Sequence, residues 1–523
     1  MSHTVTLPRA NRVAAAAAPT TESHGAAAAR IQRDAFINIV PLEKTQPSVA
    51  DLAALANVMI EPEQDPPAVT AFDNHAMPAA YTYFSQFVDH DLTGQNQNAL
   101  ITRPGFNKRS AVLDLDSIYG TETVDSLVGD TLKAVNPDFE TIYDADRVHF
   151  RLERTASGAL DLPRKVVDGK RGDPIVSDGR NDENLIVSQI DLAFLRFHNA
   201  VADVLAGDGL TGRALFSATY RTVVQHYQWL VLNDFLPRLV RGKDIAGGRA
   251  YVDDVRKSSD RKYTKADVPR GMPAEFSVAA YRMGHSMVRF NYKLDADPER
   301  KIFDDSDGDL HGHREYPANA IIKWHNFLDF AHDAPKDGDP TFDDPQFSML
   351  LDTGLSQGLA KLPGFSFQSA SAPDVAPIEH ILAYRNLVKG TIFQLPSGQT
   401  VAKYYGLEPA DVTILSATTL ADENDKNSDF AYGSVNAELT QKFGSNTPLW
   451  YYILKEAQDP SGPAGEHLGE LGARIVTECF IAFVAASPTS IFDTGFAPTA
   501  GRFGCTSDGE YALAQLVRFA TGQ

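Results

Sequence analysis

The chain reads as a mainly α protein, one large domain with few short strands folded around something buried. Three observations point there. Apolar residues recur at helical spacing in several long runs, while alternating strand patterns are sparse. No repeat period and no Rossmann or phosphate-loop glycine pattern appears. Polar, titratable residues also sit inside otherwise apolar helical runs, where an ordinary surface helix would not carry them.

Residues 1–30 are an Ala-rich tail expected to be flexible, and residues 31–523 are expected to form the folded domain, without a clear internal linker. A helix is expected from Pro47 to Leu55, followed by a Pro-rich link, Glu61–Pro67. The first strong helix runs from Ala76 to Asp91. Segment 103–125 is loop-like, and 139–165 has short alternating pieces that predict a hairpin. Leu185, Ile186, Ile190, Phe194 and Val201 space a long helix over Asn184–Leu205. Aromatic-rich Gly212–Phe235 is another, and Phe276–Val288 a third. Asp304–His313 starts like a calcium loop, but Leu310 stands where the glycine belongs and Tyr316 where the twelfth ligand belongs, so it reads as a solvated loop. Further helices are expected at Pro317–Phe330, Glu379–Lys389, Thr400–Tyr405 and Glu466–Ala485.

Composition narrows the partners. The 523 residues are 43% hydrophobic and 22% charged, with a formal net charge of -20. An acidic surface disfavours nucleic acid and anionic membranes. No apolar run approaches the roughly 18–20 residues of a membrane span. Val13–Ala18 is shorter than the roughly 7–15 residues of a secretory apolar region, so a cytoplasmic location or non-classical export is expected. Cys479 and Cys505 read as two reduced thiols rather than a disulfide framework.

Four constellations carry chemistry. In a helical Tyr83–Thr93, Gln86, Asp89 and His90 share a face, and Asp91 is turned to another side. Arg180 and Glu183 precede the long helix that carries Arg196, His198 and Asn199. Acidic residues suit a helix N-terminus, but Arg180 there needs another partner. Tyr281, Arg282 and His285 share a helical face in apolar surroundings, and Gly284 leaves room for something flat. A buried His285 needs a partner at each ring nitrogen; iron plus a hydrogen-bond acceptor satisfies this, as does an ordinary hydrogen-bonded core histidine. In extended Ser110–Gly120, Ser110, Val112, Asp114 and Asp116 present a hydroxyl, a carbonyl and two carboxylates, hard donors suited to Ca²⁺. Asp91 would supply a further carboxylate.

These four motifs, in order between about residue 75 and 400 with a looser match through Gly465–Val476, closely resemble the animal-type haem peroxidases of the peroxidase–cyclooxygenase superfamily. That superfamily also has bacterial members, and a bacterial member is expected here. The resemblance implies a single haem-peroxidase domain binding haem b and Ca²⁺. It makes His90 the distal acid–base, with Arg180 and Gln86 beside it, and His285 the axial iron ligand oriented by Asn386 of the Arg385-Asn386 motif. It implies that Arg282 pairs with a haem propionate and that Asp89 and Glu183 form ester links to the haem. Asp91, Ser110, Val112, Asp114 and Asp116 would hold calcium.

The chain departs from the family after Asn386, where it continues Leu387-Val-Lys-Gly, and at Asn184, where a Met would be needed for a sulfonium link. Arg282 occupies the place of the cyclooxygenase tyrosine, three residues before the proximal histidine. The implied reaction is reduction of hydrogen peroxide and oxidation of a halide or small organic donor through a ferryl intermediate. A fatty-acid dioxygenase on the same scaffold and a non-catalytic haem- or calcium-binding protein are the alternatives. The oligomeric state is left open.

Overall fold

The computed structural model describes residues 35–61, 72–94, 107–120, 142–295, 298–304, 308–330, 345–360, 362, 378–409 and 437–523. The Ala-rich tail, most of the Pro-rich link, both ends of the 103–125 loop, residues 139–141 of the expected hairpin and Asp305–Asp307 lie outside them. The fold is mainly α, as expected. Helices of six residues or more are α1 (Val49–Val58), α2 (Ala80–Leu92), α3 (Leu185–Gly207), α4 (Gly212–Leu230), α5 (Leu236–Arg241) and α6 (Ile245–Lys257), then α7 (Leu382–Ile392), α8 (Gly398–Tyr404), α9 (Ala437–Phe443), α10 (Leu449–Ala457), α11 (Glu470–Ala486) and α12 (Leu513–Thr521). Among the described residues the short strands pair two by two. Among the described residues no helix is long and apolar enough to cross a membrane. Cys479 and Cys505 are both buried and not joined to each other.

Helix α2 organises the core. Twelve of its 13 residues are buried, and only Gln86 is partly open. A helix enclosed on all sides draws its stability from packing rather than propensity, and α2 indeed lacks a side-chain N-cap. Phe84 and Phe87 point away from Gln86 into an aromatic cluster with α3 and α4. Phe87 stacks on Phe194 at 4.7 Å, Phe84 meets Phe235 edge-on at 5.5 Å, and Tyr227 closes on Phe194 at 6.0 Å. Helix α3 begins sharply because Asn184 accepts from the Ile186 and Val187 amides.

Several elements differ from the sequence reading, each because distant partners take backbone groups that a helix would use. The first strong helix starts at Ala80, since Asp73–Pro78 pairs as a strand with Phe347–Met349. Pro317–Phe330 is not a helix and keeps only a turn at Trp324–Asn326. There Ile322 N donates to Gln189 Oε1, Lys323 N to Leu294 O, and Phe327 O accepts from Ala80 N. Phe276–Val288 is a wide turn over Glu275–Ala279 followed by a tight one over Ala280–His285, broken at Ala279 (φ -127°, ψ -73°). The kink lets Glu275 accept from Ile39 N and Val40 N while His285 faces elsewhere. Glu379–Lys389 begins as a tight turn, and its helix starts only at Leu382. The end of Asp304–His313 is not solvated: Asp309 and Leu310 are buried, and a Cβ on Gly312 would lie 1.5 Å from the Asp182 carbonyl. The expected hairpin region holds one, Glu153–Arg154 with Leu160–Asp161, and a second, Arg164–Val167 with Lys170–Pro174, begins at its end and extends beyond it.

Replacing Phe87 with Ala is expected to destabilise the protein by about 3–5 kcal/mol, the usual cost of emptying a buried aromatic site. Denaturant unfolding at constant m-value measures it.

Candidate active site

Gln86, Asp89, His90, Arg180, Glu183, Arg282, His285 and Asn386 all line one cavity of about 570 Å³. Residues spread over three hundred positions of sequence thus converge on one space, with His90 and His285 both on its wall.

His90 is fixed from behind. Its Nδ1 lies 2.9 Å from Asn181 Oδ1, which can only accept, so the ring proton sits on Nδ1 and the Nε2 lone pair is available. Glu183 Oε2 is 3.9 Å from that Nε2. Burial lowers the His90 pKa and Arg180 adds to it, against the pull of Glu183, so the ring is neutral and basic. Gln86 donates to Glu183 Oε2 at 3.2 Å and accepts from Asn184 Nδ2 at 3.1 Å.

Arg180 has the partner its position demands. Its Nε and Nη2 donate to Asp178, and Nη2 also reaches the carbonyls of His90 (2.9 Å) and Thr93 (2.6 Å), closing the last turn of α2. Burial alone would weaken this cation, but the Asp178 carboxylate outweighs it and raises its pKa.

Arg282, expected beside a propionate, is ion-paired with Asp89 at 2.9 Å. Asp89 also accepts from the Thr93 hydroxyl at 3.0 Å. Burial would raise the Asp89 pKa, but Arg282, His90 and Arg180 together hold it below its ordinary value. Tyr281 donates to the Ser85 carbonyl. Gly284 serves close helix contact as well as openness: a Cβ there would come within 3.3 Å of Ser85 Oγ.

His285 Nδ1 lies 2.7 Å from Asn386 Nδ2. In this arrangement the amide donates, the reverse of the expected sense, and the ring proton falls on Nε2. A half-turn of the amide is sterically equivalent and presents Oδ1, freeing the Nε2 lone pair toward the cavity. Burial, then the neighbouring Arg282, drive the His285 pKa to about 3, so the ring is neutral at any working pH.

Sequence reasoning missed Lys389, one turn after Asn386. It lines the cavity without a hydrogen bond or ion pair among the described residues, and burial, with Arg282 beside it, lowers its pKa to about 7. The unfamiliar run after Asn386 was the available signal. Asn181 and Asp178 were also missed. Conversely, the Arg196–Asn199 motif points away from the cavity. Arg196 donates to Thr521 O, His198 bridges Tyr119 Oη and Val148 O, and Asn199 clamps both backbone groups of Phe150.

Across α2 lies a second polar site. One oxygen from each of Asp91, Asp114 and Asp116 falls within 4.8 Å of the others, all buried. Ser110 donates to Asp114 and its amide to Asp116, while Val112 sits half-buried in the same loop. Arg109 pairs with Asp116 at 3.3 Å and with Asp178. Burial, then the charge of Asp116, push Asp91 up to about 8 and Asp114 upward as well. Three crowded carboxyls with one arginine are a donor set that a hard cation would relieve.

The cavity's chemistry fits haem. Two imidazoles line it, and Arg282, Arg385 and Lys389 on its wall suit an anionic ligand edge. Comparison with known proteins agrees in class. Residues 56–327 match the animal haem peroxidase family, and the chain belongs to it. It is 25% identical over 271 residues to a peroxidase-like protein of Margaritifera margaritifera, covering 42% of this chain and only about a third (33%) of that protein. Peroxidase A of Dictyostelium discoideum shares the fold at a TM-score of 0.60, with 14% identity and 93% of each chain covered. A fatty acid alpha-dioxygenase of Arabidopsis thaliana shares it at 0.52, with 15% identity, over 94% of this chain and 76% of that one. These relatives are eukaryotic and lend no support to a bacterial origin.

In the haem-free protein, Lys389→Met should be stabilising, and increasingly so as pH falls from about 10 to 7. The unfolded chain takes up the lysine proton below about 10.4 and the native chain only near 7, so the gap grows by up to about 1.4 kcal/mol per pH unit. Thermal unfolding of both forms across that range tests the sign.

Proposed function

We propose that the chain is a haem peroxidase that reduces hydrogen peroxide and oxidises a halide or small organic donor. The carrying observation is the pair of imidazoles on one cavity wall, with His90 held by Asn181 as a neutral base whose free nitrogen faces inward. Haem b bound here would supply the iron at which peroxide is reduced and the oxidising equivalents passed to the donor. His285 would hold the iron, its ring oriented by Asn386. Arg282, which an ester at Asp89 would release from its ion pair, would meet a propionate, with Lys389 and Arg385 beside it.

His90 Nε2 would accept a proton from one peroxide oxygen and return it to the other, so that this oxygen can leave as water with haem supplying the two electrons. Arg180 offsets negative charge developing on the departing oxygen while its bonds to Asp178 keep it in place. Gln86, tied to Glu183 and Asn184, positions water near the reacting atoms. Asp89 and Glu183 stand on the wall as the candidates for ester links. Asp91, Asp114 and Asp116, with the Ser110 hydroxyl and the Val112 carbonyl, would hold Ca²⁺ and stiffen α2 from behind. The dioxygenase reading is weaker: Arg282 stands where that chemistry uses a tyrosine, and the Tyr281 hydroxyl is engaged with Ser85.

An absorption spectrum of the purified protein should show haem. Peroxide titration with iodide, bromide and a phenol then ranks donors. His90→Ala should lower peroxide-dependent oxidation by about 10²–10⁴-fold with haem retained. Oxygen uptake with linoleate in the absence of peroxide would favour the dioxygenase instead.

Calcium at about a hundred times its Kd should add about 2.7 kcal/mol of stability, an increment absent in Asp114→Ala. Extraction into acidic organic solvent should leave haem on the protein if the esters form.

A further inference from the structure

Behind His90 runs a buried polar chain that the proposed reaction leaves unused. Asn181 Oδ1 accepts from His90 Nδ1 at 2.9 Å, and Asn181 Nδ2 donates to Asp191 Oδ1 at 2.7 Å. His90, Asn181 and Asp191 are 4%, 0% and 1% exposed. Asp191 lies in the apolar middle of α3, a costly place for a carboxyl group. Its Oδ1 bond to Asn181 is its one hydrogen bond among the described residues, and its Oδ2 has no partner there.

The orientation of the Asn181 amide decides what His90 can do. With oxygen toward His90, the imidazole proton must lie on Nδ1 and Nε2 accepts. With the amide reversed, Nδ2 would meet Nδ1, and the proton would shift to Nε2, the side on which the Glu183 carboxylate already pulls. His90 would then be a donor toward the cavity. Nothing in His90 itself chooses between these states. Asp191 does, because its Oδ1 faces the amide and needs the N–H side. Burial, against the Asn181 bond and with Asp182 and Asp178 adding to it, raises the Asp191 carboxyl to about 8. In the structure the amide donates to Oδ1; a carboxylate can only accept there, whereas a neutral carboxyl accepts through its carbonyl oxygen but could also donate, so the carboxylate holds this orientation most firmly.

We infer that Asp191 is a positioning residue for His90: through Asn181 it holds the imidazole in the Nδ1–H form, with the Nε2 lone pair directed at the cavity. The inference rests on the peroxidase reading only for its catalytic consequence, not for the tautomer.

Three variants test it in the full chain as purified. Asp191→Asn keeps a carbonyl oxygen for Asn181 to donate to, Asp191→Leu does not, and Asn181→Leu removes the link. The direct readout is the ¹⁵N spectrum of histidine-labelled protein, reduced under carbon monoxide so that any haem iron is diamagnetic. His90 should show a protonated Nδ1 and bare Nε2 in the wild type and Asp191→Asn, and a mixed or reversed pattern in the two Leu variants. The second readout is the rate at which hydrogen cyanide binds ferric haem, which requires a distal proton acceptor but no turnover. It should fall about 10²-fold in both Leu variants, with haem content and donor KM unchanged, and recover in Asp191→Asn. A wild-type tautomer pattern in Asp191→Leu, or equal damage in Asp191→Asn and Asp191→Leu, would overturn the inference. If Asp191→Leu does not fold, Asn181→Leu decides by the same readouts. Protein lacking haem would instead defeat the peroxidase reading, while the nitrogen spectrum would still settle the tautomer.

Discussion

The structure depends on keeping one short helix buried on every side while polar groups leave it in two directions. Helix α2 sends Gln86, Asp89 and His90 into the cavity and Asp91 into the carboxylate cluster behind it. Neither polar set could hold the helix in place, because each introduces desolvated charge. The aromatic wedge of Phe84, Phe87, Phe194, Tyr227 and Phe235 does so. Every distance at the candidate site is set relative to that wedge.

Electrostatics then sort the groups by use. Burial raises carboxyls and lowers imidazoles and amines. Where a counter-charge is near, as for Asp89 beside Arg282 and for Arg180 beside Asp178, the ionised form persists. Where none is near enough, the group stays neutral or awaits a ligand. His285 is a neutral base for this reason, and His90 because burial and Arg180 outweigh the nearby Glu183 carboxylate. Asp91 and Asp114 on one side, and Lys389 on the other, are left in need of a partner of opposite sign. Helix α2 therefore has an anion-seeking neighbourhood on its cavity side and a cation-seeking one behind it.

Much of the site was legible in the sequence because its motifs are local. The face shared by Gln86, Asp89 and His90 follows from helical spacing alone, and the stranded Asp91 pointed to the second site. The mainly α class was legible for the same reason. What could not be read depended on contacts far apart in sequence. Pro317–Phe330 has helical spacing, but two of its amides donate to Gln189 and Leu294, and one of its carbonyls accepts from Ala80. Phe276–Val288 kinks because Glu275 is needed by residues 39 and 40. Asn181 and Asp191 look like ordinary helix-end and mid-helix polar residues until folding brings His90 against them. The ion pair between Arg282 and Asp89 could not be seen because the two lie far apart in sequence.

One guanidinium links the two sites. Arg109 reaches Asp116 in the acidic loop with one nitrogen and Asp178, the carboxylate that anchors Arg180, with the others. Drift at position 109 is therefore felt twice, once at each polar centre. A substitution there would loosen the acidic cluster and the Arg180 anchor together.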